Sequence, residues 1–561
     1  MRRGIVLIVL LLLAVPLHAE GPAKRHMLAT AHPAATAAGL AVLQAGGNAV
    51  DAAVTVQMVL ALVEPQSSGI GGGAFLVFYD AAAKRVVTWD GRETAPAAAH
   101  EDLFLDSNGK SLAFHDAVLG GRAVGVPGAV RMLEAAHKAH GKLPWADLFA
   151  AAIRLSAQGF PISPRLAAAI AGDAERLKRH PSTRGYFLGA DGAPLAQDAT
   201  LANPALAETL RAIAADGATA LHRGPIAADI AAAIRTDANP GLMTTDDLAA
   251  YQPKERAPVC GPYRAYRVCG MGPPSSGGVT VLQMLGLLEH FNLADMDPDS
   301  ADTAMLIAEA ARLAYADRNR YLADTDITPA PIAGLLARDY LTARAQLMDM
   351  DRANPAPRAG NPRWGTRPVM APAPAQPENG TSHFSIVDGS GNAVAMTTTV
   401  EDAFGSRIMV RGFVLNNQLT DFSFRPAIDG RPVANRVEPG KRPRSSMAPT
   451  LVFGADGKLA FVLGSPGGGR IIGYVAQTLL HLLDWRATPQ AAVAAPHVLS
   501  LGNAVELEAD TKAATLAGAL EARGQLVVTR SLPSGLQAIA ITPEGLVGGA
   551  DPRREGNVLG E

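Results

Sequence analysis

Gly380-Thr381 lies between a 26-residue proline-rich stretch (353 to 378, seven Pro) and an abrupt strand-like run, His383-Phe384-Ser385-Ile386-Val387. Scission of the bond before Thr381 gives that residue a free α-amine beside its own hydroxyl, so nucleophile and base sit on one residue. An α-amine titrates near pH ~8, a basicity suited to taking a hydroxyl proton at neutral pH. The turn cluster Asp388-Gly389-Ser390-Gly391-Asn392 separates this run from a second one, Ala393-Val394-Ala395-Met396-Thr397-Thr398-Thr399, and the pair reads as a hairpin. A turn centred on Ser390 sets Thr381 opposite Thr399, with Cβ atoms ~5 Å apart. Thr399 then hydrogen-bonds the hydroxyl or amine of Thr381 and fixes its rotamer, although Thr397 to Thr399 also read as ordinary β-formers.

A second constellation is Gly464-Ser465-Pro466-Gly467-Gly468-Gly469-Arg470, between the apolar strand Leu459 to Leu463 and a helix from about Ile471 to Leu483. Strand, glycine loop and helix aim free N–H groups at an anion. The lysine of a phosphate-binding loop is absent, and Gly467 and Gly468 either suit an oxyanion hole for acyl transfer or form an ordinary glycine turn at a helix N-terminus. Lys441-Arg442-Pro443-Arg444-Ser445-Ser446 puts two hydroxyls after a basic cluster, which either clamps a carboxylate or forms a solvated surface. Asn416-Asn417-Gln418 and Asp421 bring amides and a carboxylate together, as suits an ammonium group. Arg92 is a lone arginine in a turn. A serine hydrolase needs Gly-x-Ser-x-Gly, which Gly272-Pro273-Pro274-Ser275-Ser276-Gly277-Gly278 does not match.

The elements that must position these groups can be read from periodicity and caps. Residues 34 to 63 predict two helices, the second capped by Asn48, and Ala74 to Tyr79 predicts a strand after the cluster Gly69-Ile70-Gly71-Gly72-Gly73. A dinucleotide loop follows a strand and opens a helix, whereas here the order is reversed, so the cluster reads as tight backbone packing. Amphipathic segments near 144 to 158, 203 to 215, 225 to 235, 278 to 290 and 300 to 317 predict helices covering a sheet. The proline-rich stretch predicts an extended, mobile segment, and residues 381 to 561 a half rich in strands and turns.

With 50 basic and 52 acidic residues the chain has no electrostatic case for nucleic acid or an anionic membrane, so small molecules are the expected partners. Residues 1 to 19 read as a secretory signal: Arg2-Arg3, an apolar run from Ile5 to Val15, then Pro16-Leu17-His18-Ala19. A periplasmic or secreted chain without a membrane anchor is expected after signal removal. The only cysteines, Cys260 and Cys269, flank part of a hairpin and are either a local disulfide or two structural thiols. With no Cys-x-x-Cys and no His-Glu-x-x-His, zinc is not expected, and no cofactor is implied.

Taken together, Gly46 to Ala53, the Gly71 cluster, Pro273 to Gly278 and the whole stretch from Thr381 to Arg470 resemble the γ-glutamyltranspeptidase (γ-glutamyltransferase, glutathione hydrolase) family of N-terminal nucleophile hydrolases. The resemblance implies an α+β fold, a four-layer αββα sandwich. It also implies a precursor that cleaves itself into a large subunit (20 to 380, with a mobile end from about 353) and a small catalytic one (381 to 561), held as a heterodimer. It implies Thr381 as nucleophile, Thr399 as its contact, and Gly467 and Gly468 as the oxyanion pair. Arg92, Ser445 and Ser446 would hold the α-carboxylate of a γ-glutamyl group, and Gln418 and Asp421 its α-ammonium. Two departures stand out. Glu401 occupies a position where the family usually has Asn, and the segment between Asp421 and Ser445 is short, with Phe422 and Phe424 at its start as its only aromatics. The expected activity is γ-glutamyl hydrolysis or transfer. The alternatives are a glutaryl or other side-chain amide acylase on the same fold and a non-catalytic exported amino-acid-binding protein.

Overall fold

The structure, a computed structural model, describes residues 22–365, 370–373, 380–502 and 504–561. The signal segment 1 to 19 lies outside the described residues, as does part of the proline-rich stretch.

Period-two alternation builds the centre. In the strand Gly380–Val387, Phe384 and Ile386 face one hydrophobic cluster while Val387 faces another. Ala393–Glu401 repeats the pattern, with Val394 and Met396 on one side and the small Ala393 and Ala395 on the other. These strands are central in a seven-stranded antiparallel sheet whose spatial order is Asn557–Gly560, Met27–Thr30, Gly380–Val387, Ala393–Glu401, Gly73–Asp80, Arg85–Gly91, Lys254–Arg256. A six-stranded antiparallel sheet packs on it, ordered Gly545–Ala550, Gln537–Thr542, Leu459–Gly464, Thr450–Phe453, Tyr266–Gly270, Val259–Tyr263.

Helices close both outer faces, giving the four-layer αββα sandwich. Pro33–Gln44 and Ala49–Val63 share a core with Leu28, Leu76, Phe384 and Met396 of the first sheet. Gly277–Leu288, Ala301–Tyr321 and Ile471–Leu483 share a core with Leu451, Val462 and Ile539 of the second. Ala49–Val63 opens on a capping box formed by Asn48 and Asp51 and is buried all round, so it shows no amphipathic stripe. The other expected helices are present at Ala150–Gln158, Pro204–Asp216 and Gly224–Thr236.

One open point of the sequence reading is settled. Cys260 and Cys269 form a disulfide across the hairpin Val259–Tyr263 and Tyr266–Gly270. The described residues of the proline-rich stretch form no helix or strand, and several of their N–H groups donate to the body of the protein. Ala353 N–H donates to the Arg523 carbonyl at 2.7 Å, Gly360 N–H to Asp317 at 2.7 Å, and Ala371 N–H to the Pro432 carbonyl at 2.9 Å.

Candidate active site

The hairpin register places Thr381 directly opposite Thr399. The Thr399 hydroxyl is a hub of three hydrogen bonds. It accepts from Thr381 Oγ1 at 3.3 Å and from the Glu401 N–H at 2.8 Å, and it donates to the Gly380 carbonyl. Its donation therefore falls on the oxygen of the bond that Thr381 would attack. A β-bulge between Thr399 and Glu401 makes this possible, because it sets Glu401 opposite Gly380. Glu401 takes a left-handed backbone, φ 83°, uncommon for a side chain of that size, and its carboxylate accepts from Asn417 Nδ2. The glycine cluster packs against the same place: a Cβ on Gly72 would lie 2.1 Å from the Thr399 carbonyl oxygen, and one on Gly71 2.3 Å from that of Val414. Tight backbone approach, and not nucleotide binding, explains these glycines.

Arg92 follows the strand Arg85–Gly91, where Asp90 accepts from its N–H at 2.8 Å and fixes the turn. Its buried guanidinium donates to the Pro443 and Arg444 carbonyls at 3.1 and 3.2 Å, and to Asp421 Oδ2. Gln418 and Asp421 lie at the two ends of a single 3-10 turn, and Gln418 Nε2 donates to the same Oδ2 at 2.6 Å. Asp421 Oδ1 and Gln418 Oε1 are buried acceptors without a hydrogen-bond partner among the described residues. Burial raises the Asp421 carboxyl above its ordinary value, and Arg92 pulls it back. The sequence reading kept the cationic and anionic halves of this pocket apart, whereas the fold sets Arg92 and Asp421 side by side. Each neutralises the other until a ligand arrives.

Ser445 and Ser446 close the pocket from the chain segment before Thr450–Phe453. Ser445 Oγ accepts from the Met447 N–H at 3.1 Å, and Ser446 Oγ accepts from Arg318 Nη2 at 2.6 Å. The preceding basic cluster is neither a solvated surface nor a clamp. Lys441, Arg442 and Arg444 are buried; their donors go to Thr328 and to the Ala434, Gln252, Arg318, Leu322 and Ala373 carbonyls, and Lys441 and Arg442 also pair with Glu438 at 2.7 Å and Asp90 at 3.3 Å, which braces the loop. Phe422 and Phe424 are also interior, Phe424 stacking on Phe104 at 4.6 Å.

The glycine loop reaches the nucleophile through the facing sheet. Gly464 has no room for a side chain, since a Cβ there would fall 2.3 Å from the His383 ring, two residues beyond Thr381. Gly467 and Gly468 take φ 129° and 58°, and neither N–H donates a hydrogen bond among the described residues. Burial lowers His383 to about 3, so its imidazole is neutral, held by Thr397 at 2.8 Å and Ser385 at 3.2 Å.

Three residues escaped the sequence reading. Glu93 is fully buried beside Arg92, 3.8 Å away, and burial pushes its carboxyl up to about 8. Arg554 donates to the Thr381 carbonyl at 3.0 Å and to the Pro533 carbonyl. Arg318 touches Ser446, as above. Only Glu93 had a signal, its adjacency to Arg92. Among the described residues no cluster of three His, Cys, Asp or Glu could hold a metal ion.

Two stacked antiparallel sheets between helical layers, with a threonine at the start of a central strand, define an enzyme of the N-terminal nucleophile hydrolase type. The family model for gamma-glutamyltranspeptidase matches residues 35–561, and the chain belongs to that family. It is 39% identical to a glutathione hydrolase proenzyme of Bacillus subtilis, over 98% of this chain and 96% of that one. It is 36% identical to the acylase ACY 1 proenzyme of a Pseudomonas species, over 94% and 92%. The solved cephalosporin acylase from Bacillus halodurans superposes with TM-score 0.85 at 28% identity, covering 96% of both chains. The chain is thus an enzyme of the N-terminal nucleophile hydrolase type, and its relatives named above are glutathione hydrolase and acylase proenzymes. Among the described residues no helix is long and apolar enough to cross a membrane.

Proposed function

We propose that the chain cuts itself at Gly380-Thr381 and then hydrolyses or transfers γ-glutamyl groups from amides such as glutathione. The observation that carries this reading is the Thr399 hydroxyl, bonded at once to the Thr381 hydroxyl and the Gly380 carbonyl. In the precursor, Thr381 Oγ attacks the Gly380 carbonyl carbon while Thr399 stabilises the oxygen. Collapse passes the acyl group from nitrogen to oxygen, frees the α-amine, and leaves an ester that water opens to a Gly380 carboxylate. In the mature enzyme that amine takes the Oγ proton as Oγ attacks the γ-carbonyl, and it returns the proton to the leaving amine. The unbonded N–H groups of Gly467 and Gly468 receive the oxyanion. Arg92, Ser445 and Ser446 hold the α-carboxylate, and Asp421, Gln418 and Glu401 take the α-ammonium. Water or an amino acid then removes the acyl group.

Mass spectrometry of purified protein should find a chain starting at Thr381, and Thr381→Ala should remain one uncut chain. A mature, active single chain would overturn the reading. A glutaryl or other amide acylase is favoured by the acylase relative and by the fit to cephalosporin acylase. The two readings separate on a γ-glutamyl anilide and its glutaryl analogue, because only the first carries the ammonium that Asp421 would meet. A non-catalytic binding protein, which would keep the pocket and stay intact, is set aside with the enzyme class. Export is part of the proposal, supported by residues 1 to 19 and by the Cys260–Cys269 disulfide, which suits an oxidising compartment; fractionation of expressing cells tests it.

A further inference from the structure

Arg318 lies in the last turn of the helix Ala301–Tyr321, on an element to which sequence reading gave no chemistry. Its side chain is fully buried, and among the described residues no carboxylate comes within 4.0 Å of it. Its partners are neutral: Ser276 Oγ at 2.8 Å, Asn319 Oδ1 at 3.1 Å and Ser446 Oγ at 2.6 Å, with the Tyr315 ring 5.5 Å away. Through space it acts on Asp421, whose carboxylate is already ion-paired to Arg92, so Arg318 has no contact ion pair of its own and attracts an anion that enters beside it.

The hydrogen-bond directions say where that anion goes. A guanidinium only donates, so Ser446 Oγ must accept, and its own proton is left to donate elsewhere. Among the described residues it finds no acceptor, since the bond from Arg318 is the one hydrogen bond its hydroxyl makes. Ser276 is set the same way: it accepts from Arg318 Nε and donates to the Ser445 carbonyl at 2.7 Å, which fixes the backbone carrying both serines. Arg92 is already matched by Asp421.

We infer that Arg318 is a positioning residue that selects acyl donors bearing an α-carboxylate, by turning the Ser446 hydroxyl outward as a donor and by supplying the positive charge that carboxylate neutralises. This rests on the γ-glutamyl reading of the pocket. It adds that the carboxylate is recognised through a cation that does not itself touch the ligand.

The test uses the full-length processed enzyme with three anilides: γ-glutamyl, glutaryl (carboxylate without amine) and 4-aminobutyryl (amine without carboxylate). Arg318→Met should lower kcat/KM on the first two by about 10- to 100-fold, mainly through KM, as expected for loss of a charge-assisted contact. Turnover of the 4-aminobutyryl anilide should stay within about twofold of wild type, and Arg318→Lys should restore part of the loss. Equal losses on all three anilides would mark Arg318 as a structural brace and overturn the inference, as would no loss on any. If the Met variant stays uncut, Arg318→Lys decides by the same criterion of selective against uniform loss. A wild type that prefers the glutaryl anilide would refute the γ-glutamyl reading and still leave Arg318 testable, since that donor keeps the carboxylate.

Discussion

Replacing Thr399 by valine removes one hydroxyl at nearly constant volume and tests the first chemical step. Its bond to the Gly380 carbonyl already exists in the ground state, so only the strengthening on the way to the oxyanion counts toward the rate. A neutral hydrogen bond contributes about 1 kcal/mol net and a charge-assisted one about twice that, so the gain in the transition state is about 1 kcal/mol. The Thr381 hydroxyl also loses the partner that orients it at 3.3 Å, which costs about another 1 kcal/mol in positioning. About 2 kcal/mol together slows cleavage about 30-fold. The Glu401 N–H is orphaned as well, so the variant's thermal melt must be compared with wild type. Thr399→Ser keeps the hydroxyl and serves as the reference. The assay is the appearance of two chains on denaturing gels over time from freshly purified precursor. A Val variant that melts like the Ser variant and cleaves within about threefold of it would refute the assignment of Thr399 to this step.

Two further outcomes follow from the interior. Glu93 is pushed up to about 8 from an unfolded value near 4.5, so the folded chain holds a proton that the unfolded chain has lost; stability is full below pH 4.5 and falls as pH rises toward 8. In the uncut Thr381→Ala background, Glu93→Gln should flatten the melting temperature between pH 5 and 8 (a slope of about 1.4 kcal/mol per pH unit at most), and an unchanged slope would refute a neutral Glu93. Reducing the Cys260–Cys269 disulfide, which closes a loop of sequence separation 9, should cost up to about 3 kcal/mol. Because that hairpin is the far edge of the six-stranded sheet, melting should fall while anilide turnover holds; a parallel loss of turnover would refute the separation of edge and site.

The nucleophile hairpin was legible because its information is local: two alternating runs and one turn fix a register, and the register alone sets Thr381 against Thr399. The helix Ile471–Leu483 after its glycine loop was legible for the same reason. What stayed hidden is how the charges around residues 92, 421 and 446 are arranged: Arg92 is paired with Asp421, and Arg318 stands behind Ser446. No period connects them, and only the packing of the helix Ala301–Tyr321 behind the Ser445–Ser446 segment brings Arg318 in. The basic cluster 441 to 444 misled in the opposite direction, because composition cannot tell a charge that meets water from one that meets backbone carbonyls and internal carboxylates. The pairing of Arg92 with Asp421 was missed because motif carry-over assigns a residue its role toward a ligand and says nothing of its partner within the protein.

Glu401 shows how the two kinds of information combine. By resemblance it departs from an expected asparagine, which sequence alone reads as a change of charge near the ammonium. The backbone adds that the position is left-handed, φ 83°, a conformation asparagine adopts readily and a long side chain adopts at a cost of order 1 kcal/mol. The bulge cannot relax to remove that cost, because its N–H is what holds the Thr399 hydroxyl at 2.8 Å. Glutamate is therefore carried at a strained residue whose backbone serves the nucleophile, while its carboxylate reaches Asn417, next to the turn that presents Gln418 and Asp421. One residue thus ties the geometry of the cleavage site to that of the ammonium pocket, so substitution at Glu401 should disturb processing through its main chain and substrate choice through its side chain.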